Sequence, residues 1–162
     1  MKITTIIGPV CSGKTYLLKT IFPTQMKVEI GDIVREIKSE STRIFDKGLD
    51  FQISAKLRLI IKKAIDEEVD LVIVGIRQLS ILLLAELFIK AHQLNPQKNI
   101  KYVRTFLNVD SALRRERFIS RAASKDKLSF EETERRDNEL GLQELTDYCL
   151  NKDKSKTTIK TQ

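Results

Sequence analysis

An unbroken β-branched run that ends in a glycine-bracketed loop and opens into a helix is the feature that most constrains this chain. Ile3-Thr4-Thr5-Ile6-Ile7 has the composition of a strand buried on both faces, and Tyr16-Leu17-Leu18-Lys19-Thr20-Ile21 reads as a helix. Between them Gly8-Pro9-Val10-Cys11-Ser12-Gly13-Lys14-Thr15 fits the Walker A pattern G-x-x-x-x-G-K-[ST]. Such a loop folds its backbone round an anion with successive N–H groups inward, and the helix N-terminus adds its positive dipole end at the same place. The expected nucleotide-binding set is therefore Gly8, Pro9, Val10, Cys11, Ser12, Gly13, Lys14 and Thr15. Lys14 is placed to reach the β- and γ-phosphates and the Thr15 hydroxyl to hold a magnesium ion, so ATP and Mg2+ are the expected cofactors.

Further along, strands and helices alternate. Met26 to Ile30 reads as a second strand, with Asp32 as the N-cap of a helix over Ile33 to Ile37. Ser39 to Phe51 is polar and reads as a loop. Gln52 to Glu68 has the spacing of an amphipathic helix, with Ile53, Leu57, Ile60, Ile61 and Ala64 inward. A third strand spans Val69 to Gly75, a leucine-rich helix Gln78 to His92, and a fourth strand Ile100 to Leu107. Asp110 caps a helix over Ser111 to Arg121, and Ser129-Phe130-Glu131-Glu132 is a capping box that opens another, running to about Glu139. Asp147 to Asn151 is expected to be the last strand. Strands joined by helices imply a parallel sheet covered on both faces, here a three-layer α/β domain with five strands over residues 1–151. The remainder, 152–162, is a basic tail with almost no apolar content and is expected to be disordered.

Composition bounds the setting. In 162 residues the two cysteines make neither a disulfide framework nor a metal spacing, and there is no apolar stretch of signal or membrane-spanning length, so a cytoplasmic protein is expected. His92, the single histidine, reads as structural. The net charge of +7 favours polyanionic partners, although four tail lysines against one aspartate supply part of it.

The other chemistry-bearing feature is a set of arginines. Arg114, Arg117 and Arg121 fall at i, i+3, i+7 on one helix, and Arg135 and Arg136 lie on the next, across a short polar connection. Guanidinium forks suit the oxygens of a phosphoryl group in transfer, so residues 114–136 read as a lid, with Arg117 and Arg121 catalytic and Arg136 on the nucleotide.

Together these motifs resemble one group of P-loop kinases, the archaeal dephospho-coenzyme A kinase-like proteins, neighbours of adenylate kinase and other nucleoside monophosphate kinases. The resemblance runs through Gly8 to Thr15, Gly31-Asp32-Ile33-Val34-Arg35-Glu36, Gly75-Ile76-Arg77, Arg117 to Arg121, and Glu134 to Leu142 leading to Asp147-Tyr148 and Asn151. It implies an ATP-dependent kinase in which Asp32 orients or deprotonates the acceptor hydroxyl and joins Thr15 at the metal. Arg35 and Arg77 would hold the acceptor. Where these kinases tend to end the third strand in Asp-Gly, this chain has Val74-Gly75, which leaves a second acidic magnesium partner unaccounted for. The segment that would recognise a large acceptor is also slight. Compact kinases of this kind occur in bacteriophages that hypermodify thymidine, where they phosphorylate 5-hydroxymethyluracil within DNA, in the host cytoplasm. That base is the favoured acceptor here, with dephospho-coenzyme A or a (deoxy)nucleoside monophosphate as the alternative. A nucleotide-dependent switch or ATPase is the reading from another class.

Overall fold

In a computed structural model, which describes residues 1–38, 47–121, 128–152 and 158–160, the centre of the molecule is β1 (Lys2–Ile7). It lies between β3 (Leu71–Val74) and β4 (Lys101–Asn108), both parallel to it, and β2 (Met26–Glu29) extends the sheet beyond β3 in the order β2-β3-β1-β4. The centre explains the composition: Ile3, Ile6 and Ile7 are fully buried and Thr4 and Thr5 nearly so. A strand with helices on both sides has no face to leave polar.

Two apolar layers result. On one face α2 (Ile30–Lys38), α3 (Asp50–Asp66), α4 (Leu79–Gln93) and α7 (Leu142–Lys152) pack on Ile3, Ile7, Leu71, Ile73 and Phe106. On the other, Leu18 of α1 (Lys14–Thr20) packs on Ile6, Val72, Val74 and Leu107. The alternation along β3 sends Leu71 and Ile73 one way and Val72 and Val74 the other, as the strand period requires. A third, smaller cluster joins Val10 of the glycine loop to Phe118 of α5 (Ser111–Arg121) and Phe130 of α6 (Phe130–Glu139), so these two helices are built onto the loop itself.

Several sequence expectations need correction. Asp147 to Asn151, expected as a strand, lies within α7; Leu142, Leu145 and Cys149 recur at i, i+3, i+7 and are all buried, and that helical stripe decides. The five-stranded sheet so drawn is replaced by four strands in the body and a three-residue strand, β5 (Thr158–Lys160), pairing parallel with Phe106 to Asn108 at the edge. Those three residues come from the tail expected to be disordered. The rest of that tail beyond Lys152 lies outside the described residues, as do most of the Ser39 to Phe51 loop and the lid connection at 122–127. Helix α3 begins at Asp50, inside that expected loop, where the Asp50 carboxylate accepts hydrogen bonds from Gln78 and Ser80 at the entrance to α4. Asp32 is not an N-cap, because α2 starts at Ile30 directly from β2 and Asp32 falls in its first turn. Other helix starts stand as read. Asp110 Oδ1 accepts from the Ala112 N–H at 2.8 Å, and Ser129 and Glu132 make both hydrogen bonds of a capping box. His92 lies late in α4, its Nδ1 2.9 Å from the Phe88 carbonyl oxygen.

Candidate active site

Loop geometry comes first. Gly8 leaves β1 so close to its surroundings that a Cβ there would meet Ser12 Oγ at 2.7 Å and the Leu107 carbonyl oxygen at 3.0 Å. Only a residue without a side chain fits. Gly13 caps α1 in the left-handed region at φ 96°, and Cys11 adopts φ 56°, a conformation a side chain normally avoids. Strain of that kind persists where the surrounding structure holds it, and it occurs in loops that wrap ligands. Half-buried Lys14 folds back over the loop, its Nζ donating to the Gly8 carbonyl at 2.7 Å and the Pro9 carbonyl at 2.6 Å, with Ser12 Oγ at 3.3 Å. Burial, followed by the repulsion of Arg77, pulls the Lys14 pKa down from 10.5 to about 7. An anion at this place would return the charge that burial disfavours.

In front of the loop lies a cleft of about 300 Å3. Val10, Cys11, Ser12, Gly13, Lys14 and Thr15 form its floor, and Gly8 and Pro9 lie behind them as the carbonyls that Lys14 holds. Arg117 and Arg121 line it from α5, and Arg77 from the loop after β3, so three of the sequence-derived arginines meet there. Asp32, Arg35 and Arg136 do not. Asp32 and Arg35 form an ion pair with each other on the solvent side of α2, and Arg136 is exposed on α6. Arg114, expected on one face with Arg117 and Arg121, is buried under α6. It pairs with Glu134 at 2.6 Å, donates to the Val109 carbonyl at 3.2 Å and lies 5.6 Å from the centre of the Phe130 ring. It fastens α5 to α6, as does Arg115 with Glu131 at 2.5 Å.

Sequence reasoning missed three residues. Glu29, the last residue of β2, lines the cleft from the side where Asp32 was expected, and Tyr16 lines it from α1 while 70% exposed. Strand ends in open α/β sheets are where ligands bind, so the position of Glu29 was the available signal. Asp137 of α6 is the third. It is 1% exposed, its Oδ1 accepts from Arg77, and burial pushes its pKa up against the opposing pull of Arg77 and Lys14.

With this geometry known, the comparisons with other proteins concern the fold. No protein-family model matches the chain, and no curated protein matches it. Solved structures do. A chain of the Pnkp1/Rnl/Hen1 RNA repair complex superposes with TM-score 0.62 at 13% identity, over 91% of this chain and 45% of that one. This chain therefore spans less than half of that protein's length. A sugar kinase from a Janibacter species gives TM-score 0.60 at 11% identity, and shikimate kinase from Acinetobacter baumannii in complex with shikimate gives 0.57 at 15%. Each covers 99% of this chain and 83% of its own. The chain shares the three-layer α/β architecture of these structures. At such identities the likeness reaches no further than architecture.

Magnesium is the metal the loop implies. Among the described residues no group of three or more His, Cys, Asp or Glu could hold an ion. Magnesium needs no such cage, since it takes one or two protein oxygens and completes its octahedron with phosphates and water. Thr15 and Glu29, which line one cleft, are hard oxygen donors of the required kind. Nor is any helix among the described residues long and apolar enough to cross a membrane.

Proposed function

We propose that this protein is an ATP-dependent phosphotransferase that moves the γ-phosphoryl group of ATP to an acceptor hydroxyl. One observation carries the reading: a Walker A loop and three arginines, Arg117 and Arg121 from α5 and Arg77 from the loop after β3, converge on one cleft with a single strand-end acid, Glu29, on its wall. Positive groups placed around the transferring phosphoryl stabilise its equatorial oxygens, and a fixed arrangement spends nothing on reorganisation. In this reading the loop amides and Lys14 bind the donor phosphates. Lys14 turns from the Gly8 and Pro9 carbonyls to the phosphate. Arg117 and Arg121 cover the transferring group from α5, and Arg77 faces the acceptor. Thr15 and Glu29 would hold magnesium, which supplies charge neutralisation between the phosphates. Glu29 is also the acid that would orient the acceptor hydroxyl, in preference to Asp32, because Glu29 lines the cleft and Asp32 does not.

For the acceptor, the favoured class is a 5-hydroxymethyluracil base in DNA. Its support is the net charge of +7, the small residues Gly31, Val74 and Gly75 on that side of the cleft, and the family resemblance. A C5 substituent projects into the major groove, and contacts to flanking phosphates would make affinity fall steeply with salt. The small acceptors dephospho-coenzyme A and the deoxynucleoside monophosphates are the competing class. Incubation with γ-labelled ATP and duplexes differing only in thymine or 5-hydroxymethyluracil, with the small acceptors in parallel, separates them. Label confined to the modified duplex supports the DNA acceptor. Labelling of a small acceptor with none in DNA replaces it, and brisk ATP hydrolysis indifferent to every acceptor overturns phosphotransfer in favour of a switch or ATPase.

A further inference from the structure

We infer that Asp137 is a positioning residue for the phosphate cleft: from α6 its buried carboxylate holds the Arg77 guanidinium at the cleft wall, so that α6 and the acceptor-side arginine move as one unit. This rests on the phosphotransfer reading above. Three observations point to it. Asp137 reaches out of α6 to a residue sixty positions earlier in the chain, Arg77, which itself lines the cleft. The Arg77 side chain is 24% exposed against 2% for Asp137, so the pair has one end in the protein and the other at the cleft. Finally, Asp137 Oδ2 is buried with no hydrogen-bond partner among the described residues.

The last point separates positioning from stabilisation. A buried carboxylate with one oxygen unmatched carries a desolvation cost that its charged neighbours do not fully offset. Burial accordingly raises the Asp137 pKa even though Arg77, Lys14, the Val10 backbone N–H and Arg114 all draw it down. Burying the carboxylate thus comes at a cost to the fold, while the arginine it aims belongs to the site. Asparagine at this place keeps the shape and removes the charge. Arg77 then loses its charged partner on α6, and one negative charge is taken away from a site that, in this reading, binds phosphates.

The test compares wild type, Asp137→Asn, Arg77→Ala and the double variant by thermal unfolding, calorimetric MgATP binding, and single-turnover release of γ-phosphate from labelled MgATP to water. For Asp137→Asn the melting temperature should hold or rise, and MgATP affinity should stay within about threefold or tighten, while phosphate release slows by about tenfold or more. In the Arg77→Ala background the same change should alter release by less than about twofold, because its route is gone. Affinity and melting temperature falling together would make Asp137 a structural residue. Undiminished release, or a tenfold loss that persists without Arg77, overturns the inference. Wild-type protein that binds no MgATP overturns the phosphotransfer reading as well, whereas intact MgATP binding with indistinguishable variants defeats this inference alone.

Discussion

Two buried clusters of charge, one on a face of the sheet and one at the glycine loop beyond the carboxyl end of β1, are built differently. In the first, Glu86 of α4 accepts at Oε1 from Arg104 Nη1 and the Tyr102 hydroxyl, each at 2.9 Å, and at Oε2 from the Tyr148 hydroxyl at 3.2 Å. The Arg104 guanidinium lies 4.9 Å from the centre of the Tyr148 ring, and Thr5 Oγ1 stands 3.3 Å from the Tyr102 hydroxyl. Burial pushes the Tyr102 pKa far up, with Glu86 adding to it. Both carboxylate oxygens are matched, four elements are tied together, and none of these side chains lines the cleft. In the second, around Lys14, Arg77 and Asp137, a carboxylate oxygen is unmatched and the amine is pulled down towards neutrality. A carboxylate matched at both oxygens, as Glu86 is, specifies how helices sit on a sheet. A half-matched one beside a cleft marks where a ligand or a reaction is expected to complete the pairing.

The sharpest break of this contrast is Glu86→Ala, which takes the carboxylate away from an arginine that is 4% exposed. It should cost about 3–5 kcal/mol of unfolding free energy in urea titrations. Phosphate transfer by the folded fraction should be unaffected, and a variant as stable as wild type would show that the network does not hold the fold. Lys14→Ala is the reciprocal case: transfer should fall by about a hundredfold or more while the melting temperature holds or rises. Retained turnover would remove the loop from the site. Next comes the choice between strand-end acids. Glu29→Gln should slow transfer by about a hundredfold, whereas Asp32→Asn should change it by less than about threefold. The opposite ranking would return the acceptor to α2.

Smallest is a pH effect on the protein without nucleotide. Burial leaves Lys14 with a pKa of about 7 in the fold against 10.5 ordinarily, so between those values the unfolded chain carries the extra proton. Stability attributable to Lys14 therefore rises as pH climbs from about 7 towards 10.5, and the melting-temperature difference between wild type and Lys14→Ala should drift upward across that window. A difference flat with pH would mean that the amine stays charged.

How much of this was legible depended on whether the signal was local. The phosphate loop, the Asp110 cap and the Ser129 capping box are decided within a few residues, and the sequence states them. Asp147 to Asn151 was ambiguous because a short segment of mixed polarity carries no period of its own. Its helical stripe shows only when counted together with Leu142 and Leu145. Glu29 lines the cleft where Asp32 was expected because α2 begins three residues earlier than the Gly31-Asp32 pair indicates, which turns Asp32 towards solvent. Arg114 and Asp137 sit in runs of charge, where Arg114 read as one more lid arginine and nothing local singled out Asp137. Only the packing of α6 against α5 and the glycine loop makes them interior.

Sheet order also bears on how the chain is made. β1 finds its hydrogen-bonding partners at residues 71–74 and 101–106, with Ile3 opposite Leu71 on one side and Tyr102 on the other. A nascent chain therefore carries five consecutive β-branched residues, Ile3 to Ile7, without an edge to pair with until β3 has left the ribosome, and without its second neighbour until β4 has. Long-range parallel pairing of this kind folds slowly and leaves an aggregation-prone strand waiting. The glycine loop, suspended from the end of that strand, is thus set in place only after the strands at residues 71–74 and 101–106 have arrived.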